Sequence, residues 1–268
     1  YQKIFSELKY GWQNEKWAIS ATLPLSYQHI NYTDTGFKSK DSKSNLYFTP
    51  SALVRFQYSN SSYLTLGFSS ANKIAKAEET FGGYVLKNYL LIENYQSPLM
   101  ETNSQNFTAG FNFRNPVKLL FLNVTAQYSS EQNNTISNSS FYQTLQKKSN
   151  FYFNNNTHGY SFMFNISKYI FPIHSTISIR TSVRTNQLIQ IQNNLYNQLD
   201  ILTGNVIATI NSKLSDKLAG NYEAMFTNYM SKSNLYQNQQ SSQIINQRIN
   251  LSYIPKENLI INMNAEDY

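Results

Sequence analysis

The sequence predicts an all-β chain, a transmembrane antiparallel up-and-down β-barrel, of which it supplies about 12 to 14 strands of a larger barrel. Three observations carry that expectation. Apolar side chains recur at every second residue through most of the chain. The connections between these runs alternate between tight turns and long polar segments, as in a barrel with turns on one side of a membrane and loops on the other. Aromatic residues stand at the ends of the runs, where girdles form at the two lipid–water interfaces.

Composition narrows the alternatives. Of 268 residues, 14% are charged and 15% aromatic, and the polar remainder is mostly Asn, Gln, Ser and Thr, which suits strands and uncharged loops. No run approaches the roughly 20 apolar residues that a membrane helix needs, and the mean hydropathy of -0.47 agrees. A barrel strand needs only about 10 residues with one apolar face. The absence of cysteine removes disulfides and thiolate sites. The chain opens at Tyr1 without an initiator Met or an apolar leader, so a signal peptide is expected to be cleaved or to lie outside it. The formal charge of +7 is dispersed, and its densest cluster, Lys38, Lys40 and Lys43, sits in a Gly/Ser/Asp segment. That pattern predicts no nucleic-acid partner and suits a solvated loop, or one facing phosphate-bearing lipid headgroups.

The elements follow in order. Ile4, Leu8, Tyr10 and Trp12 share one strand face, and Asn14-Glu15-Lys16 turns the chain. Trp17, Ile19, Ala21, Leu23, Leu25 and Tyr27 form the next face, aromatic at both ends, with Pro24 expected to impose a local bulge because it removes a ladder hydrogen bond. Residues 33 to 46 read as the first long loop. Ala52, Val54, Phe56 and Tyr58 then alternate with Leu53, Arg55 and Gln57, and a turn at Asn60-Ser61-Ser62 leads to Leu64, Leu66 and Phe68. Residues 72 to 105 form the longest excursion, too long for an idle connection. Phe107, Ala109, Phe111 and Phe113 resume the period, and Asn115-Pro116 turns into Leu120, Leu122, Val124, Ala126 and Tyr128.

The Asn/Ser-rich stretch to Ser140 reads as loop, before a strand expected from Phe141 to Phe153. Tyr160, Phe162, Phe164 and Ile166 follow, then a turn at Phe171-Pro172-Ile173-His174, then Ile177, Ile179 and Val183. A loop is expected at residues 193 to 197, and a second from Ser231 to Ser242. Between and after them lie Leu202, Val206, Ala208 and Ile210; Tyr222, Ala224 and Phe226; Ile245, Ile249, Leu251 and Tyr253; and Leu259, Ile261 and Met263. Arg55, Arg114, Arg180, Arg184, Glu223 and Arg248 all occupy the opposite register. They are expected to face a wet lumen, since hydrocarbon penalises a basic residue by about 2 to 4 kcal/mol at the midplane. The same periodicity would also fit a soluble sandwich with its apolar face against a second sheet.

Within the block from Tyr47 to Tyr128, a strand pair is followed by Tyr84-Val85-Leu86-Lys87-Asn88-Tyr89, Glu93-Asn94-Tyr95 and Gln96-Ser97-Pro98-Leu99-Met100-Glu101. This block resembles the barrel of TonB-dependent outer-membrane receptors of the Bacteroidetes type, in which a tyrosine-rich loop runs into an N-P-x-L-x-x-E passage; Ser97 stands here where Asn is common. The resemblance implies an outer-membrane transport protein of a Gram-negative bacterium, not an enzyme, whose partners are the TonB complex acting through a plug domain, outer-membrane lipid and a surface lipoprotein lid. Family barrels have about 22 strands, and no plug or TonB box is seen in this sequence, so the 268 residues are expected to be a single internal barrel segment.

Little else in the sequence carries chemistry. His29, His158 and His174 lack metal-ligand spacing, no nucleophile or nucleotide motif appears, and neither metal nor cofactor is expected. The loop residues Tyr84, Lys87, Asn88, Tyr89, Asn94 and Tyr95 form the candidate substrate site, since aromatic faces with neighbouring amides stack and hydrogen-bond sugars or peptides. The competing reading is that they pack the loop. Two further functions remain open at this point: a passive porin, and a soluble surface protein that binds glycans.

Overall fold

The computed structural model describes residues 2–34, 39–74, 83–94, 99–235, 239–256 and 259–267. They form fifteen strands: β1 (Gln2–Gln13), β2 (Trp17–Asp34), β3 (Ser39–Phe48), β4 (Ser51–Ser59), β5 (Ser62–Ile74), β6 (Tyr84–Asn88), β7 (Leu91–Asn94), β8 (Glu101–Asn115), β9 (Leu120–Tyr142), β10 (Leu145–Ile170), β11 (Ser175–Gln192), β12 (Leu195–Lys213), β13 (Leu218–Ser233), β14 (Gln240–Lys256) and β15 (Leu259–Asp267). All join one sheet, along the path β1-β2-β4-β5-β8-β9-β10-β11-β12-β13-β14-β15. β3 continues β4 against β2, and β6 and β7 form a hairpin off the path. The twelve strands of the path are the up-and-down wall that the periodicity predicts. The sheet is open, with β1 and β15 at its edges.

Register explains why the apolar residues act together. One cross-strand row runs Trp12, Ile19, Val54, Leu66, Ala109, Ala126, Phe162 and Val183 through successive pairings. Because a one-residue slip would turn a whole strand over, such a row requires every strand to be locked to the same face. Strands of a closed barrel tilt by about 35–45°, so a row of this kind climbs through the membrane; this one begins at a tryptophan, crosses aliphatics and rings to Val183, and leaves the apolar belt through Gly204 to Asn228 and Gln243. Among the described residues the face is unpartnered: no second sheet covers it, Leu66 is 58% exposed, and of the hydrophobic residues only Leu99 and Ile136 are buried. The sandwich alternative fails on that point.

At one end of the wall the connections are short turns close to the apolar belt, and their chemistry is local. Asn14 accepts hydrogen bonds from the amides of Lys16 and Trp17 through its side chain, and Asn115 does the same for Lys118. Phe171–Ile173 makes a single 3-10 turn that His174 ends with a φ of 46°. At the other end, β11 and β12 join through Asn193 and Asn194, both at positive φ, the backbone that lets a two-residue turn follow the twist of its strands.

The structure corrects several boundaries. β2 runs through Pro24 in unbroken register with Glu7, without a bulge. The interruption lies on the opposite neighbour, between β3 and β4 at Thr49-Pro50, where the Pro24 carbonyl accepts the Thr49 amide at 3.3 Å. A residue in a strand directs its N–H and C=O to the same side, so the donor that Pro24 lacks falls at that gap. The expected loops are mostly strand as well. β3 occupies residues 39–48, β9 continues to Tyr142, β10 starts at Leu145, and β13 and β14 take in residues 231–233 and 240–242.

Candidate functional site

Beyond the apolar belt, β9 and β10 continue as a long hairpin that reverses its neighbours. Near the belt the order is β8-β9-β10-β11, but further out β10 pairs in parallel with β7 at Gln146–Ser149, and β9 pairs in parallel with β11 at Ser137–Ser139. The ribbon has therefore turned over, with a register break between Tyr152 and Asn155, consistent with the strong twist of two-stranded ribbons. The outcome is a folded cap at the end of the wall opposite the short turns. Its interior holds Leu99 and Ile136, with Asn94, Ser139 and Asn197 also buried. Asn197 donates to Gln192 and accepts from Ser233, so this buried amide is paired at both ends.

The candidate loop residues lie on the hairpin of β6 and β7. Tyr89 is at its tip, 85% exposed, and Tyr84 is also exposed. Asn88 uses its carbonyl to accept the Leu90 amide at 2.9 Å, which closes the turn, and Asn94 is buried beneath. Lys87 lies 3.9 Å from Glu93. Tyr95 falls outside the described residues. Sequence reasoning missed the partners that β10 supplies: Lys148 lies 4.0 Å from Glu93, and the Lys147 ammonium sits 4.8 Å from the centroid of the Tyr84 ring. The Lys147 side chain, by hydrogen bond and by charge, lowers the Tyr84 phenol below its ordinary value. No spacing in the sequence links residues 84–94 to 147–148; only the parallel pairing does.

A second polar centre holds the cap to the wall. Glu101, at the start of β8, accepts the Tyr47 hydroxyl at 2.6 Å and the Asn45 amide at 3.0 Å, and pairs with Lys43 at 2.8 Å. Its backbone amide donates to Asn134, whose own amide donates to the Leu99 carbonyl. β3 and β8 are not ladder neighbours. Side chains span the gap that opens where β3 departs.

On the sheet face opposite the apolar row, register places Arg55, Arg114, Arg180, Arg184, Glu223 and Arg248 together. Arg55 stacks over Tyr63 at 4.0 Å and donates to Gln57. Arg184 donates to Asn186. Arg248 stands opposite Glu223 in register but makes its close ion pair with Glu266, at 2.7 Å. Between the charges run amide ladders, such as Asn250 to Asn221 to Asn211, which satisfy polar groups without adding charge. Thr65 and Gly110 are opposed, as are Gly67 and Thr108, and each glycine leaves room that its threonine hydroxyl occupies. Among the described residues no group of His, Asp and Glu is placed to hold a metal ion.

No family model and no curated protein matches the chain. Among solved structures it is similar to the ferric-catecholate import receptor Fiu of E. coli K12. Against the closed form the TM-score is 0.59 at 10% identity, covering 98% of this chain and 48% of the receptor. Against the open form it is 0.56 at 10% identity, covering 98% and 53%. The chain thus spans about half the length of the receptor structures it matches. At that identity the likeness is one of fold: the wall described above has the antiparallel β-barrel architecture of these receptors.

Proposed function

We propose that this chain forms part of the barrel wall of a TonB-dependent importer in the outer membrane of a Gram-negative bacterium, and that its cap captures a nutrient outside the cell. The observation that carries this reading is the asymmetry of the wall. Strands end in short turns on one side, and on the other run beyond the apolar belt into a folded cap that presents Tyr84, Tyr89, Lys147 and Lys148 to solvent. A wall that only conducted solutes passively would have little use for a rigid, cross-braced cap. The arginines and amide ladders would line the lumen, and a plug linked to the TonB complex would gate it. A surface lipoprotein is the partner suited to the cap.

Topology is the first thing to test. Val117, in the turn after β8, is 86% exposed and Tyr89 is 85% exposed, so an intrinsic difference in accessibility does not separate them. These residues include no cysteine, so Tyr89→Cys and Val117→Cys each add one thiol. A membrane-impermeant maleimide applied to intact cells is expected to label the first and spare the second until the cells are opened. Labelling of Val117→Cys alone from outside would overturn the orientation and the capture role with it.

A further inference from the structure

At the cap end of the face that carries the arginines, β11 to β14 form a pocket of about 300 Å³. Apart from Leu199 its lining is all amide and hydroxyl: Gln190, Gln192, Asn197, Ser231, Ser233 and Gln240. Register is unbroken along these four strands, and side chains alternate faces along a strand, so the lining shares the face of Arg184, Glu223 and Arg248. By the same alternation Asp200 and Lys232, which adjoin lining residues in the sequence, fall on the opposite face. No charged side chain lines the pocket.

Part of the lining is fixed and part is free. The Leu235 amide donates to the Ser233 hydroxyl at 3.1 Å, and that hydroxyl donates to Asn197 at 2.7 Å. Asn197, 1% exposed, donates in turn to the Gln192 carbonyl at 3.1 Å. The chain of bonds ends at Gln192, whose amino group keeps its two donors unused among the described residues. The side chains of Gln190, Ser231 and Gln240 are likewise without a hydrogen-bond partner among the described residues. Tyr229 stands on the same face two residues before Ser231, about 7 Å along the strand, and is 40% exposed.

We propose that this pocket binds one ring of an uncharged saccharide, an inference that rests on the importer reading and names its substrate class. Each sugar hydroxyl both donates and accepts, and side-chain amides and hydroxyls offer both capacities together. An anion would find no cation in the lining and would leave the amide carbonyls that face it without a donor. A peptide draws its specificity from pockets for alternate side chains, whereas Leu199 is the single apolar residue of this lining. The volume lies at the small end of the roughly 300–1,000 Å³ of ligand sites, and the exposed Tyr229 ring offers the C–H face of a sugar a surface to stack on. The bonded chain from Ser233 to Gln192 holds its donors in place before a ligand arrives, which lowers the ordering cost of binding.

The test applies the full-length protein in detergent to an array of immobilised neutral oligosaccharides of glucose, galactose, mannose or xylose, with uronic-acid and sulfated oligosaccharides and uncharged tetrapeptides on the same surface. Retention on at least one neutral series is expected, with no gain from acidic groups and none on peptides. On that series Gln190→Ala and Gln240→Ala are each expected to weaken binding about fivefold, as for one neutral hydrogen bond; neither removes a side-chain hydrogen bond of the described fold. Tyr229→Ala is expected to weaken it about tenfold, the upper end for an aromatic contact, while Tyr229→Phe keeps the ring and leaves binding intact. Gln187→Ala, on the opposite face of β11, leaves it intact as well. Absence of binding to every neutral series, preference for acidic glycans or peptides, or binding that survives Gln190→Ala, Gln240→Ala and Tyr229→Ala alike would overturn the site. The array reads binding without a membrane, so labelling of Val117→Cys alone from outside cells would overturn the importer reading and leave a positive array result standing.

Discussion

Glu101 is the side chain that braces β3 against β8 at the base of the cap. Replacing it with alanine removes an acceptor of two hydrogen bonds and the partner of Lys43. Hydrogen bonds to a charged group contribute about 1.5–3 kcal/mol each. The ion pair is worth less, near the ~1 kcal/mol of solvent-screened pairs, because the Lys43 side chain is 34% exposed although that of Glu101 is only 13% exposed. These terms share one carboxylate and do not add fully. A combined loss of about 3 kcal/mol corresponds to roughly a hundredfold rise in local opening. Glu101→Gln keeps a neutral acceptor and is expected to give about tenfold; Tyr47→Phe, which deletes one bond, should give a similar effect. Hydrogen exchange of the membrane-embedded protein reads this directly. Peptides covering residues 42–48 and 101–104 should exchange faster, while residues 62–68, deep in the wall, stay unchanged. Unaltered exchange at 42–48 in Glu101→Ala would refute the brace, and a uniform increase across the wall would show that Glu101 supports the whole barrel instead.

Three further outcomes follow from the same geometry. A Cβ on Gly110 would stand 2.5 Å from the Thr65 hydroxyl, so Gly110→Ala is expected to cost about 1–3 kcal/mol in urea unfolding from lipid, and Thr65→Ala combined with it to restore most of that loss. Lys147 lowers the Tyr84 phenol from its ordinary value of 10.0, so the phenolate is the form favoured by folding. The stabilisation it brings is fully present above that ordinary value, while Lys147 keeps its charge, and is lost as pH falls through the lowered one. An ultraviolet difference titration of the protein against Tyr84→Phe should show one tyrosine ionising early, and Lys147→Met should return it to the ordinary range. Finally, the native polypeptide recovered from outer membranes with antibody against residues 83–94 is expected to have an intact mass well above the 31.0 kDa of this chain. A mass near that value, with steady single-channel conductance, would favour a passive pore.

The wall was legible because a membrane-spanning strand must differ on its two faces. Wherever lipid meets one side, the period of two is plain, as from Trp17 to Tyr27 or Tyr160 to Ile166, and those residues pair in the expected sense. The same cause explains the errors. Above the belt both faces of a strand meet water or other polar chains, so Ser129 to Ser140 alternates nothing and reads as loop, although its backbone stays in the ladder with β10. Pro24 misled for a related reason. A missing donor must be placed somewhere, but the sequence does not say on which neighbour, and here the partner strand was interrupted while β2 ran on.

The cap shows the other limit. Its loop was visible as tyrosines and asparagines at short spacing, but not as a hairpin, and the positions within it are divided by geometry. Asn88 closes a turn and Asn94 is buried, while Tyr84 and Tyr89 reach solvent. Composition assigned the six residues to one purpose; the fold leaves the Tyr84 and Tyr89 rings at the surface and uses the Asn88 and Asn94 amides within the hairpin. What brings Lys147 and Lys148 beside them is the overturned β9–β10 ribbon, a consequence of twist accumulated over strands of 23 and 26 residues. Twist is a property of ribbon length rather than of any residue. A shorter hairpin would leave β10 beside β11 along its whole length, and Tyr84 would lose the cation over its ring. The length of the polar extension, which looked like an uninformative loop, is therefore what assembles the cap.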